Sequence, residues 1–429
     1  MLKQFIRYVS LNIMGMMGIS LYVLADTYFI ANGLGANGLT ALNLALPMFS
    51  LVSGLGLMIG MGGATKYSIM KQTASRESLD RLFGVSLEVA LFIGFAIAFV
   101  GFFFSDPLSR LLGADVTVIA DTSSYLKVLL SFAPVFMTNY VLECFVRNDG
   151  NPNLSMIGIL VGSLLNIVLD YVFIFPCGLG MFGAALATGA TPSISILILS
   201  THFIKKKNGF SFKRSAVRIR ELFHIASLGA SSLIGEMSSG VVMLVLNMIL
   251  LAIAGNIGVA AYGVVANIAI VALSIFNGLA QGVQPLLSDA YGRNDIQSIY
   301  KVRKYGWITG LILSGIMYGF IYCFAEPVAE LFDRDNNVEL VRMAAEGLRL
   351  YFVGYVFAAF NIVTAMYFSA TDRPLPSFVI SILRGIVLVI PCAYLMAFTW
   401  GMKGVWLAFA AAEALTMIIA TGFVLSKRK

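Results

Sequence analysis

Charge is what this sequence has least of. Asp, Glu, Lys and Arg supply 12% of its 429 residues, and 59% are hydrophobic. Soluble domains carry about 25% charged residues, so this chain cannot coat a water-facing globule and lipid must solvate much of its surface. Histidine occurs twice and cysteine four times. The cysteines (Cys144, Cys177, Cys323, Cys392) lie in apolar stretches without metal-ligand spacing and read as small core residues. No phosphate-cradling Gly-Lys-Ser/Thr loop, His-Glu-x-x-His pair or Gly-x-Ser-x-Gly elbow is present. Their absence leaves no enzyme constellation, and without a nucleotide site an ion gradient must drive any uphill transport. A cleavable signal is not evident either, since the first apolar stretch is too long and lacks a cleavage site.

What is present is a series of apolar stretches, each of roughly 20 residues, long enough to cross a bilayer as a helix. Twelve are expected, at 8–31, 41–65, 82–104, 124–146, 154–176, 180–203, 225–253, 260–288, 305–325, 345–369, 376–398 and 401–426. Their connections are short except for the basic stretch 205–220. With the N-terminus placed in the cytoplasm, 22 of the 29 Lys and Arg fall on cytoplasmic segments and six outside. That asymmetry predicts both termini inside, in the cytoplasmic (inner) membrane. The net charge of +7 is thereby spread over seven segments facing lipid headgroups. It forms no single face for nucleic acid. His202 and His224 flank the linker and are expected at the membrane surface.

The chain also repeats. Gly56 and Gly278, Gly60 and Gly282, Arg81 and Arg303, Asn139 and Asn361, and Pro152 and Pro374 each lie 222 apart. Gly180-Met181 pairs with Gly401-Met402 at 221. A tandem duplication of six spans puts both halves in the same orientation, with a substrate path between them. The expected architecture is an all-α membrane protein of twelve transmembrane helices in two parallel six-helix repeats. A first lobe covers 1–204, a cytoplasmic linker 205–220, and a second lobe 221–429.

Ionisable groups inside a bilayer are costly and are functional candidates by default. Asp26 lies ~27 Å along an outward-running span and Asp170 ~24 Å along another. Asn166 is one turn deeper than Asp170, and Thr188 lies ~12 Å from the outer side. These four form an all-oxygen set in the outer half of the first repeat, suited to Na⁺ or to a proton shared by two acids. At the repeat offset they fall on Met248, Leu388, Cys392 and Phe409, so the second copy lacks the set. Glu236 is mid-span in the seventh helix; Glu88 and Glu143 lie near cytoplasmic helix ends. Arg384, the lone base in a span, could pair with Glu413. Asn139, Gln281, Gln284 and Asn361 complete the candidates for a substrate cavity.

Four segments carry a resemblance: LADTYFIANGLGANGLTALNLALPMF at 24–49, GLMIGMGGATKYSI at 56–69, VRNDGNPNLSM at 146–156 and GLAQGVQPLLSDAYGRND at 278–295. In order and spacing the chain resembles the multidrug and toxic compound extrusion (MATE) family over nearly its full length. The resemblance implies V-shaped lobes, alternating access and H⁺- or Na⁺-coupled export of organic, often cationic compounds, with no other cofactor and a monomer as the working unit. It implies that Asp26 binds the coupling ion with Asn166, Asp170 and Thr188, and that Tyr125 lies near that site. Glu236 is similar to a seventh-helix glutamate of the sodium-coupled branch. The tenth-helix acid that accompanies it is absent, with Phe357 near its place and Asn361 the nearest polar group. Leu11 stands where relatives carry a first-helix proline. Rival readings are a flippase for a lipid or lipid-linked oligosaccharide, a membrane-embedded transferase and a channel. The first would want a basic cavity, the second a catalytic constellation, and the third polar residues in both repeats.

Overall fold

The structure, a computed structural model, describes residues 1–214, 218–332 and 337–426. Arg334 and the terminal Lys427, Arg428 and Lys429, which count among the Lys and Arg that orient the chain, lie outside the described residues.

Among the described residues every regular element is helical. Leu2–Met70 runs as 69 helical residues, ~100 Å at 1.5 Å per residue and about three times the thickness of a bilayer core. It is two spans meeting at Gly35, whose φ of 71° a residue with a Cβ rarely adopts. Ile219–Gly292, 74 residues, divides in the same way at Gly255, φ 63°. Gly401 divides Pro374–Leu425. Two further spans are bent pairs, Ile119–Ser131 with Ala133–Asn148 at 47° and Val338–Tyr351 with Gly354–Ala370 at 44°. With Arg76–Leu111, Pro152–Ile174, Gly180–Ile204 and Ile296–Glu330 this makes twelve spans, numbered 1 to 12 in chain order. The two hairpin glycines and the two bends, after Ser131 and Tyr351, both recur 220 residues apart. Duplication thus set where the helices break as well as where they run. At the first bend Pro134 opens the second piece, where its missing N–H costs no helical hydrogen bond.

Two compact units result. One contains Ser10–Met237 with Ser288–Asp295, and the other Met1–Val9, Ser238–Leu287 and Ile296–Lys429. Residues 221–237, which the sequence division gives to the second lobe, therefore belong with the first bundle, and the opening turns of the chain belong with the second. Glycine contacts explain the exchange. A Cβ on Gly229 would lie 1.8 Å from the Met58 carbonyl oxygen, and one on Gly62 would lie 1.9 Å from that of Ile225. Spans 2 and 7 thus touch backbone to backbone, as small residues permit in membranes. In the second unit Gly282 abuts Val9, and the Phe5 and Tyr305 rings meet edge to face at 5.5 Å. That unit's core is aromatic, built around Phe276, Tyr351, Tyr355, Trp406 and Phe409.

At the basic end of the first bundle the linker is packed, not merely laid against headgroups. Phe210 is fully buried, its ring 4.6 Å from that of Phe83 and 5.3 Å from those of Tyr67 and Phe145. Beside it Asp149 collects the Tyr67 hydroxyl at 2.6 Å, Lys71 Nζ at 2.8 Å, His202 Nε2 at 2.9 Å and the Gly209 N–H at 2.5 Å. Burial alone would raise this carboxyl. Hydrogen bonds from His202, Gly209, Lys71 and Tyr67 outweigh it and hold the group down at about 2. Two expectations are corrected. His202 is 2% exposed and belongs to this cluster rather than to the membrane surface. Of the cysteines only Cys144 is buried, while Cys177 and Cys323 are exposed, as apolar groups facing lipid can be.

Candidate functional site

The first unit brings together the four residues that depth grouped and the tyrosine that the resemblance added to them. Asp26 (span 1), Asn166 and Asp170 (span 5), Thr188 (span 6) and Tyr125 (span 4) are all buried, Asp170 completely. Asn166 Nδ2 donates to Thr188 Oγ1 at 3.4 Å. Thr188 is also the side-chain partner of the Tyr125 hydroxyl, which lies within electrostatic reach of both carboxylates. Heptad-like spacing explains part of this. Asn166 and Asp170 are one turn apart and share a helix face, and Tyr22 precedes Asp26 by one turn and faces the same acids.

The hydrogen-bond inventory of this cluster is incomplete on one side. Oδ1 of Asp26, Oδ1 of Asn166 and both carboxylate oxygens of Asp170 are buried with no hydrogen-bond donor among the described residues. Buried acceptors are rarely left so, because an unmade bond costs about 1–3 kcal/mol. Four such oxygens in one place can be completed by water, a proton or a cation. Among the described residues no three His, Cys, Asp or Glu gather as a metal site. A set of two carboxylates with an amide and hydroxyls matches the needs of a monovalent, hard ion better than those of a transition metal.

Directly beside the cluster is a small, partly open cavity. Asn166 and Thr188 belong to its wall, together with Tyr22, Asn139, Tyr140 and Glu143. Among the described residues no Lys or Arg lines it. Of the cavity candidates, Asn139 therefore takes its place as expected. Glu236 lies in the same unit, within reach of Tyr22 and Tyr140, although it does not itself line the cavity. Gln281, Gln284 and Asn361 belong to the second unit; all three are buried, and none joins this wall.

Sequence reasoning passed over three features. Tyr22 and Tyr140 were detectable as aromatic residues one turn from Asp26 and next to Asn139. Arg147, counted as a cytoplasmic base, is fully buried, with Nη1 2.8 Å from Asn12 Oδ1 and 3.7 Å from Glu143 Oε1. Glu143 accordingly sits within the bundle and on the cavity wall, not at an interfacial helix end. The pairing of Arg384 with Glu413, left open by spacing, is made at 2.6 Å.

The sequence model of MatE matches residues 12–172 and 232–395, one segment in each repeat. The chain belongs to the MatE family. It is a multi-pass membrane transporter, and its relatives agree. It is 27% identical over 402 residues to the multidrug export protein MepA of Staphylococcus saprophyticus, covering 93% of this chain and 88% of that one. The protein of the same name from Staphylococcus aureus is 28% identical with the same coverage. Among solved structures, a multidrug resistance MATE family transporter in an outward-facing conformation superposes with a TM-score of 0.92 at 26% identity, covering 98% of this chain and 94% of that one. A transporter of the MOP superfamily from Pyrococcus furiosus, described as having a binding pocket of reverse polarity, gives 0.91 at 26% identity, covering 98% and 94%. The likeness spans both repeats, so the twelve-span MATE fold holds for the whole chain.

Proposed function

We propose that this MatE transporter exports organic compounds, cationic or amphipathic in character, in exchange for H⁺ or Na⁺. The observation that carries the reading is the set of donor-less oxygens on Asp26, Asn166 and Asp170 in direct continuity with an acid-bearing cavity. Ion and substrate then compete for one bundle, either through shared wall residues or through its conformation. A gradient of the ion biases the two lobes toward release outside by alternating access. Asp26 and Asp170 bind the ion, with Asn166, Thr188 and Tyr125 orienting around it. Tyr22, Asn139, Tyr140 and Glu143 receive the substrate, aromatic faces and a carboxylate suiting a lipophilic cation. Multidrug export by the staphylococcal relatives supports the substrate class. The protein works as a monomer in the cytoplasmic membrane, with both termini and the basic linker inside and lipids contacting the basic segments.

A flippase for anionic lipid carriers would want bases on the cavity wall, and the wall carries Glu143 instead. The test is ethidium efflux from proteoliposomes with the pH and sodium gradients imposed separately. Asp26→Asn and Asp170→Asn should each remove gradient-driven efflux, more than tenfold, while yielding folded protein. Efflux at the parent rate by either variant would overturn the assignment.

A further inference from the structure

The second bundle contains a polar network that this exchange does not use. Arg384 Nη2 lies 2.6 Å from Glu413 Oε1 and its Nε 3.3 Å from Oε2. Asn361 Nδ2 donates to Glu413 Oε2 at 2.7 Å and to the Glu413 carbonyl at 2.8 Å. Glu413 and Asn361 are wholly buried, and the Arg384 side chain is 15% exposed. Tyr351 and Tyr355 are the titratable neighbours that face the pair. Span 11 widens at this point into a π turn, Leu383–Val387, closed by the Leu388 N–H to the Leu383 carbonyl at 2.9 Å. Such turns recur at functional positions in helices.

The repeat makes the location informative. Asn361 and Arg384 correspond to Asn139 and Gly162 at offset 222, and Glu413 to Pro192 at offset 221. All three counterparts line the cavity of the first bundle. Side chains therefore fill in the second bundle the position that is open in the first. The electrostatics are opposite too: among the described residues both Glu413 oxygens have donors, while both Asp170 oxygens have none.

We propose that Arg384 is a tethered counter-cation for Glu413, standing at the counterpart of the first bundle's cavity, and that it thereby restricts ion exchange to the first bundle. A guanidinium is charged at every accessible pH and meets a carboxylate in a fork. Held on the same chain, it competes with any free ion at high effective concentration. Arg384 is thus a specificity-determining residue for how many ions are exchanged per substrate. The proposal rests on the reading of Asp26 and Asp170 as the exchanging groups.

The test counts ions released per tetraphenylphosphonium bound by the purified full-length protein, protons with a pH dye in weak buffer and sodium with a radioactive tracer. Asp170→Asn should lower the count, and Glu413→Gln should leave it at the parent value. Arg384→Met frees the Glu413 carboxylate and should raise the count by up to one ion. Arg384→Met combined with Glu413→Gln removes both charges, a change that buried pairs tolerate far better than loss of one partner, and should restore the parent count. If Arg384→Met does not fold, the other two variants still decide. A count that falls in Glu413→Gln, that stays unchanged in folded Arg384→Met, or that changes in the double variant would overturn the proposal. Absence of ion release in the parent, or indifference to Asp170→Asn, would instead sink the functional reading on which it rests.

Discussion

Asp149→Asn is the substitution whose cost the structure fixes most closely. The carboxylate is 2% exposed at its side chain and joins span 2, the end of span 6 and the linker through Tyr67, Lys71, His202 and Gly209. Its acidity, about 2 against an ordinary 3.8, measures how much the folded protein prefers the charged form. At about 1.4 kcal/mol for each tenfold change in proton affinity, that preference is worth about 2 kcal/mol at neutral pH. Because the folded value is depressed, the contribution is complete above about pH 4 and disappears as pH falls toward 2. Asparagine keeps one acceptor but turns an N–H₂ toward a ring of donors, so it recovers little of this. The purified variant should unfold a few degrees below the parent at pH 7, with the gap narrowing at pH 3. Trypsin should also cut faster at Lys205, Lys206 and Lys207, since the linker is held by the same carboxylate. Equal unfolding midpoints at pH 7 together with equal linker cleavage would refute the reasoning.

Two further outcomes follow from close packing and buried charge. Gly229→Val places a side chain where a Cβ already meets the Met58 carbonyl at 1.8 Å, whereas Gly235, on the same span, has open space around it. Gly229→Val should abolish the folded fraction on size-exclusion chromatography, and Gly235→Ala should leave it unchanged. Glu143→Ala strips the carboxylate from the buried Arg147 and should cost about 3–5 kcal/mol, read as a loss of thermal stability. Arg147→Met added to it should recover most of that loss, and a double variant less stable than Glu143→Ala would contradict the pairing.

The spans were legible because each one exposes apolar side chains to lipid over a whole turn, so hydropathy marks it whatever it packs against. The hairpin glycines and the paired bends add to that pattern, being repeated chemistry at a fixed offset. What hydropathy could not mark is which bundle a span joins. Residues 221–237 carry Glu221, His224 and Glu236 among apolar residues, and nothing in that pattern names a partner helix. They belong with the first bundle because Gly62 and Gly229 let two backbones touch, a property of pairs of helices rather than of one. The linker misled for a related reason. Its lysines and arginines dominate the composition, yet Phe210 and the Gly209 N–H tie it down.

The proposed coupling residues were legible for a physical reason that also has a limit. An acid in a span must be explained, and helical rise gives its depth, so Asp26, Asn166, Asp170 and Thr188 could be set at one height before any contact was known. Rise says nothing about azimuth. That is why Arg384 and Glu413, 29 residues apart on different spans, could be suspected but not joined, and why Arg147 looked like a surface base. The same blindness left the second repeat described only as lacking the first one's set. Its residues at the positions of Asp26 and Asp170 are apolar, but an Arg–Glu–Asn network occupies the counterparts of Asn139, Gly162 and Pro192. Among the described residues one copy of the duplicated bundle holds a carboxylate, Asp170, with no donor on either oxygen, and the other holds one, Glu413, with a donor on each. On the proposed function, an ion is exchanged only where the protein has not already supplied one.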